Sequence, residues 1–425
     1  MKKIILTLSI LFFSLCGFSQ KTIIWCGTLI DCVSNEVQKE MTLVVEGGKI
    51  ISVEKGYRQP TGTDVVIDLK TKTVLPGLMD MHVHLEFESR KGGSIDQFTM
   101  NPADYAFNSV VFSKTTLMAG FTTVRDLGGS GVNISLRNAI NSGKIIGPRI
   151  FTAGNSISGT GGHMDPTNGY CDELMGDPGT REGVANGVDD CRKAVRQQYK
   201  EGADLIKIAS TGGVLSAAKD GSAPQFSEEE IKAIVQTAKD LGLSVACHAH
   251  GAEGMKRAIR AGVISIEHGT LMDDEVMALM KQFGTYYVPT LTAGKSVADS
   301  SKIPGYYPDI VVPKAQNIGP KMQATFGKAY KAGVKIAFGT DAGVFKHGKN
   351  AIEFQYMVEA GMSPMEAIRS ATVTTALLLG ISDKLGTLQV GKIADIIAVD
   401  ENPLLNIKTL MNVRFVMKDG IIYKQ

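Results

Sequence analysis

Two different spacings of apolar residues divide this chain. Between Lys21 and Asp68, short runs such as Thr22-Ile-Ile-Trp-Cys26, Leu43-Val-Val-Glu46 and Val65-Val-Ile-Asp68 are broken by Gly47-Gly48 and Pro60-Thr-Gly62. Apolar, β-branched runs of that length bounded by Gly and Pro predict strands. The same texture returns near the other end, in Ala394-Asp-Ile-Ile-Ala-Val-Asp400, Val413-Arg-Phe-Val-Met417 and Ile421-Ile-Tyr423. Residues 20–74 and 385–425 are therefore expected to pair into one small β-sandwich domain.

Residues 75–384 follow another rhythm. Eight short apolar segments occur, Gly77–Val83, Thr122–Arg125, Arg149–Ala153, Asp204–Ile208, Ser244–Cys247, Val263–Ile266, Thr285–Val288 and Lys335–Phe338. They alternate with amphipathic stretches at Pro102–Ala119, Val188–Lys200, Ser227–Leu241, Gly254–Ala261, Asp273–Gln282 and Pro320–Ala332. Ser227 and Glu230 form Ser-x-x-Glu, the capping box of a helix start. Apolar strands alternating with amphipathic helices predict an α/β fold, a parallel (β/α)8 TIM-like barrel. Pro289 to Pro320 reads as a long Pro-rich loop, and Gly154 to Gly187 as a Gly-rich insertion.

Residues 1–19 obey neither rhythm. Lys2 and Lys3 precede an apolar run from Ile4 to Leu15, and Gly17-Phe-Ser19 supplies small residues before Gln20. That is the layout of a secretory signal peptide. It is too short for a spanning helix, which needs roughly 20 apolar residues. The bulky Leu15 argues against a lipid-modified Cys16. Removing the leader takes the formal charge from +2 to 0, so no basic field remains to attract nucleic acid or anionic lipid. An exported protein, periplasmic or secreted and without a membrane span, is expected; a homo-oligomer is compatible with this reading. Export permits disulfides. Cys171 and Cys191 flank a polar stretch that they could staple, Cys247 reads as a buried free thiol, and the five cysteines after the leader leave one thiol unpaired in any scheme.

Candidate chemistry gathers where the barrel strands end. In Thr73-Val-Leu-Pro-Gly-Leu-Met-Asp-Met-His-Val-His-Leu85, period-2 alternation puts His82 and His84 on one side of a strand. Lys207, His248, His268 and Asp341 end later strands, on the face where barrel enzymes place their chemistry. Any one of them alone has an ordinary reading as a core or surface residue. Six ligand-type residues at the same end of one barrel point to a metal site. Lys207 lies among Leu205, Ile206 and Ile208, where an ammonium loses hydration. A neutral amine there can add carbon dioxide, and the resulting carbamate can bridge two divalent metals; an ion pair with Asp204 or Glu267 is the alternative. Paired cations sharing a hydroxide would supply the nucleophile and polarise a carbonyl. Asp341 then suits the proton carrier, taking a proton from the nucleophile and returning it to a departing amine.

These motifs resemble the amidohydrolase superfamily, in particular its binuclear metal peptidases, labelled Xaa-Pro dipeptidases or imidazolonepropionase-related proteins. Pro76-Gly-Leu-Met-Asp-Met-His-Val-His84 matches the first-strand motif and Asp204-Leu-Ile-Lys-Ile208 the carbamate lysine. His248-Ala-His-Gly251, Ile266-Glu-His-Gly269 and Gly339-Thr-Asp341 match the later ligands. The resemblance implies His82, His84 and Asp341 on one metal, His248 and His268 on the other, and carboxylated Lys207 between them. Nitrogen and carboxylate ligands suit zinc, though manganese, cobalt or iron fit the same set. His163, in Ser158-Gly-Thr-Gly-Gly-His163, matches a motif that faces substrate in the related peptidases, and is expected to be catalytic. Relatives carry His or Tyr where His250 stands. His347 and Tyr170 complete the candidates for substrate contact.

The sequence thus predicts a binuclear metal hydrolase, dipeptidase- or carboxypeptidase-like, that cleaves the amide bond of dipeptides or N-acyl amino acids. Alternatives are a cyclic-amide hydrolase of the imidazolonepropionase type, an ochratoxin-type amidase on the same scaffold, and a non-catalytic periplasmic binding protein. The stretch Gly343-Val-Phe-Lys-His-Gly-Lys-Asn350 resembles a phosphate loop but ends in Asn where a hydroxyl is needed. Arg125 and Asp126 read as a structural ion pair.

Overall fold

The structure, a computed structural model, describes residues 20–217 and 220–425, so the expected leader and Cys16 lie outside the described residues. The N-terminal end forms β1 (Thr22–Leu29), β2 (Gln38–Glu46), β3 (Lys49–Lys55) and β4 (Val65–Pro76). The middle forms β5 (Leu78–Val83), β6 (Phe121–Asp126), β7 (Arg149–Thr152), β8 (Ile206–Ala209), β9 (Val245–Ala249), β10 (Ser265–His268) and β11 (Tyr286–Val288). The C-terminal end adds β12 (Ile396–Val399), β13 (Phe415–Lys418) and β14 (Ile421–Lys424).

The two ends pair as expected. One seven-stranded sheet runs β14-β13-β12-β4-β1-β2-β3. Its junction is β12 antiparallel to β4, with Ile396 opposite Pro76 and Val399 opposite Thr73. Ile24, Leu43, Ile67, Ile396 and Phe415 share one apolar core, so strands distant along the sheet close over common residues as the β-sandwich domain. Only Gly77 separates β4 from β5, and a Cβ there would lie 2.3 Å from Thr122 Oγ1. The sandwich therefore runs directly into the first barrel strand. Arg149 ties the two parts again, reaching Asp395 Oδ2 at 2.9 Å and also Asp419.

The barrel strands are parallel, in a three-stranded sheet β5-β6-β7 and a four-stranded sheet β11-β10-β9-β8. Backbone hydrogen bonds close both seams. Between β7 and β8, Asp204 N donates to Thr152 O (2.7 Å) and Ile157 N to Lys207 O (2.8 Å). At the other seam, Ala337 N donates to Tyr287 O (2.9 Å) and Met81 N to Phe338 O (2.9 Å). The eighth predicted strand, Lys335–Phe338, is thus in place, but as a segment with an isolated bridge, Ile336 to Tyr287, not as a regular strand.

The expected Pro-rich loop is a correction. Pro289 to Pro320 contains the helix Leu291–Ser300 and much of a second, Val312–Lys331, which runs through Pro320 instead of starting there. An interior proline removes one intrahelical hydrogen bond. Close packing offsets that loss: a Cβ on the adjacent Gly319 would sit 3.1 Å from Gly294 O, so the two helices cross at paired glycines. The Cys171–Cys191 staple does not form. All five described cysteines are free, Cys171 is exposed and Cys191 is buried. Burial pushes the Cys191 thiol up to about 12. Among the described residues no helix is long and apolar enough to cross a membrane.

Candidate metal centre

The strand ends bring the six expected ligands together. His82 lies in β5, with His84 just beyond it; Lys207 lies in β8, His248 in β9, and His268 closes β10. Asp341 follows the closing segment. Its N–H donates to His82 O at 2.7 Å, which sews it beside β5. His268 and Asp341 are both left-handed, φ 71° and 61°. Non-glycine residues rarely adopt that conformation, and it clusters at functional positions. The turn at His268 matters because alternation alone would send neighbouring side chains to opposite faces. Here Glu267 lies 3.0 Å from His82 Nδ1, while the His268 ring centroid lies 5.0 Å from that of His82.

Four imidazoles each have one nitrogen fixed by a protein acceptor. His82 Nδ1 meets Glu267 Oε2 (3.0 Å), His84 Nδ1 meets Gly128 O (2.7 Å), His268 Nδ1 meets Thr290 Oγ1 (2.7 Å), and His248 Nε2 meets Gly212 O (3.1 Å). The carbonyls can only accept, so they place the proton on that nitrogen and leave the other as a lone pair. His82 Nε2 lies 3.5 Å and His84 Nε2 3.3 Å from Asp341 Oδ1. Asp341 Oδ1 and His248 Nδ1 are buried and make no hydrogen bond. Ligand atoms of His82, His268 and Asp341 lie within 4.8 Å of one another. Imidazole lone pairs converging on a carboxylate, each oriented from behind, are the donor set of a divalent cation. The residues present fit a metal.

Lys207 is wholly buried, with Nζ 3.4 Å from His82 Nε2. Neither partner of the alternative ion pair takes it. Asp204 pairs with Arg137 at 2.6 Å, and Glu267 pairs with the buried Arg125 at 2.8 Å. Burial pushes the Lys207 amine down to about 8, against the pull of Glu267 and Asp341. Arg125 also departs from expectation, since its partner is Glu267 and not Asp126. Asp126 instead accepts from Leu85 N (2.9 Å) and Asn133 Nδ2 (2.9 Å). Burial works to raise the Asp341 carboxyl, but His82, His84 and Lys207 outweigh it and hold it below its ordinary value.

The remaining candidates separate. The His163 ring lies 4.2 Å from that of His248 and over Gly213, and its Nδ1 is buried without a hydrogen bond. His250 borders both His248 and His268, at 4.7 and 5.1 Å between rings, and its Nδ1 meets Thr270 Oγ1 at 2.7 Å. Beside it opens a cavity of about 320 Å³, lined in part by Val214, Leu271, Ile318, Lys314, Lys321 and Asp220. His347 lies behind His84 and outside the ring of ligand atoms. It stacks on Phe112 (4.9 Å), and its Nε2 meets Phe87 O (3.2 Å), contacts of a packed core histidine. Tyr170 is exposed and packs edge-to-face on Phe98 (5.3 Å). Glu267 and Thr290, which orient two of the histidines, were not identified as site residues by sequence reasoning.

Comparison with known proteins agrees with this geometry. The sequence model of the amidohydrolase family matches residues 73–423. The chain is 34% identical to ochratoxinase from Aspergillus niger, over 95% of this chain and 86% of that protein. The crystal structure of a Xaa-Pro dipeptidase with methionine bound in its active site superposes with a TM-score of 0.93 at 54% identity, covering 96% of this chain and all of the other. A prolidase complexed with N-methylphosphonate-L-proline superposes with a TM-score of 0.87 at 32% identity, over 96% of this chain and 100% of the other.

Proposed function

The chain belongs to the amidohydrolase family and is a hydrolase of carbon–nitrogen bonds; on that premise we propose that it cleaves the amide bond of dipeptides or N-acyl amino acids and releases a free C-terminal amino acid. The observation that carries this reading is the convergence of His82, His268 and Asp341 beside buried Lys207 and the oriented His84 and His248. Two divalent cations bound there would supply an activated water and a polarised carbonyl; zinc suits these donors, as manganese, cobalt or iron would. His82, His84 and Asp341 would hold one cation and His248 with His268 the other. Lys207, carboxylated while neutral, would join them.

Asp341 does the proton work. Its carboxyl, held below the ordinary aspartate value, is ionised and accepts a proton from the nucleophile. It then gives that proton to the amine nitrogen, which could not otherwise leave. His163, whose ring lies 4.2 Å from that of His248, would face the substrate. The cavity beside His250 supports a small substrate: its apolar wall suits a side chain, and Lys314 and Lys321 outnumber Asp220 at a site where a free carboxylate would lie. The Lys-led apolar start of the chain supports action after export.

The test is a screen of the purified chain, loaded with zinc and bicarbonate, against dipeptides and N-acyl amino acids that differ in the C-terminal residue. Release of the free C-terminal amino acid is expected. Uniform inactivity there, with ring opening of a cyclic amide, would overturn the proposal in favour of a cyclic-amide hydrolase.

A further inference from the structure

Thr290 differs from the other acceptors that fix the histidines. Gly128 O, Gly212 O and the Glu267 carboxylate accept, whereas a hydroxyl both donates and accepts. Its hold on His268 therefore depends on where the backbone puts it. That backbone is left-handed, φ 53°, at a β-branched residue that rarely adopts it. Such a conformation persists only where the surroundings enforce it. Thr290 N donates to Gly339 O (3.1 Å), on the segment that leads into Asp341. Just beyond, Glu353 accepts from Leu291 N (2.8 Å), Thr292 N (2.7 Å) and Thr292 Oγ1 (2.6 Å). These N–H groups open the helix Leu291–Ser300. Glu353 is wholly buried, although it comes from a different helix, Ile352–Glu359.

We propose that Glu353 is a positioning residue for His268: it clamps the first turn after Thr290, locks that left-handed corner, and so holds the hydroxyl against His268 Nδ1. The hydrogen bonds of Glu353 go to Leu291 and Thr292, not to His268, so it acts through Thr290. The inference rests on the metal-centre reading above, and goes beyond it in assigning a role to a residue outside the ligand set.

The experiment is zinc affinity, measured by competition with a chromophoric chelator, on the full chain and on Glu353→Gln, Thr290→Val, Thr290→Ser and the Glu353→Gln/Thr290→Val double variant. Disturbing an outer partner of a histidine ligand weakens metal binding about 10- to 100-fold. That loss is expected at one of two sites in Glu353→Gln and in Thr290→Val, while Thr290→Ser, which keeps the hydroxyl, stays near the parent. Because both act on one contact, the double variant should be no weaker than Thr290→Val alone. Additive losses, or parental affinity in Glu353→Gln, would overturn the proposal. Thr290→Val keeps the side-chain shape, so the test survives if Glu353→Gln fails to fold: parental affinity in Thr290→Val alone also overturns it. A parent chain that takes up no metal removes the centre itself, and this inference with it. Metal uptake without peptide turnover counts only against the proposed substrate.

Discussion

Glu267 divides its carboxylate between Arg125, at 2.8 Å through one oxygen, and His82, at 3.0 Å through the other. A fully buried ion pair therefore stands directly behind the His82 imidazole, and Ser265 Oγ donates to the same carboxylate at 2.5 Å. The arrangement couples barrel stability to ligand geometry.

Removing Arg125 leaves that carboxylate charged and uncompensated in the barrel interior. Breaking a buried pair from one side costs about 3–5 kcal/mol. Arg125→Met is expected to lose stability on that scale in urea unfolding carried out with chelator present. A loss under about 1 kcal/mol would show that Glu267 does not depend on the guanidinium.

Lys207→Ala should lose metal occupancy and turnover together if the proposed carbamate joins the two sites. Native mass spectrometry of the parent should find one carbon dioxide on Lys207 when bicarbonate is present. Full activity in the alanine variant would eliminate the carbamate.

Gly213 lies under His163, and an added Cβ would fall 2.1 Å from its ring. Gly213→Ala must displace that ring. The expected result is a fall in kcat of about 10-fold or more, in the range of a lost general acid–base or oxyanion contact, with metal content unchanged. Parental kcat would remove His163 from the reaction.

The contact between sandwich and barrel should weaken in acid. Burial works to raise the Asp419 carboxyl, but Arg149 and Lys418 outweigh it and hold it below the ordinary aspartate value of 3.8. A carboxyl depressed in the folded state contributes stability that is complete above that ordinary value. The contribution fades as pH falls through the lower folded value. The unfolding midpoint should therefore drop below about pH 4, and Arg149→Met should lose part of that dependence. An unchanged acid limb in the variant would assign the effect elsewhere.

Much of this arrangement was legible in the sequence because alternation does not depend on distant contacts. His82 with His84, and His248 with His250, announce themselves by spacing of two, and the apolar runs before them mark the strands. The strands from both ends were readable for the same reason. What spacing could not reveal is conformational or remote. The left-handed turns at His268 and Asp341 are invisible to a period-2 reading, so Glu267 reads at most as an alternative partner for Lys207 and not as the support of His82. Arg125 beside Asp126 looked like a pair, although neighbours on a strand point apart. Pro320 carries a strong stop signal, and only the glycine crossing of two helices explains why the helix continues. His347 follows the closing segment by position, yet it turns back to pack on Phe112.

The pairing of β12 with β4 joins segments more than 300 residues apart, and such long-range closure is slow to form. Until the last part of the polypeptide is available, Thr73 to Pro76 presents an unpaired edge immediately upstream of His82. The order of synthesis thus delays completion of the centre: ligands made early must wait for strands made last, and a chain cut short before Ile396 leaves a sticky border where its chemistry should begin.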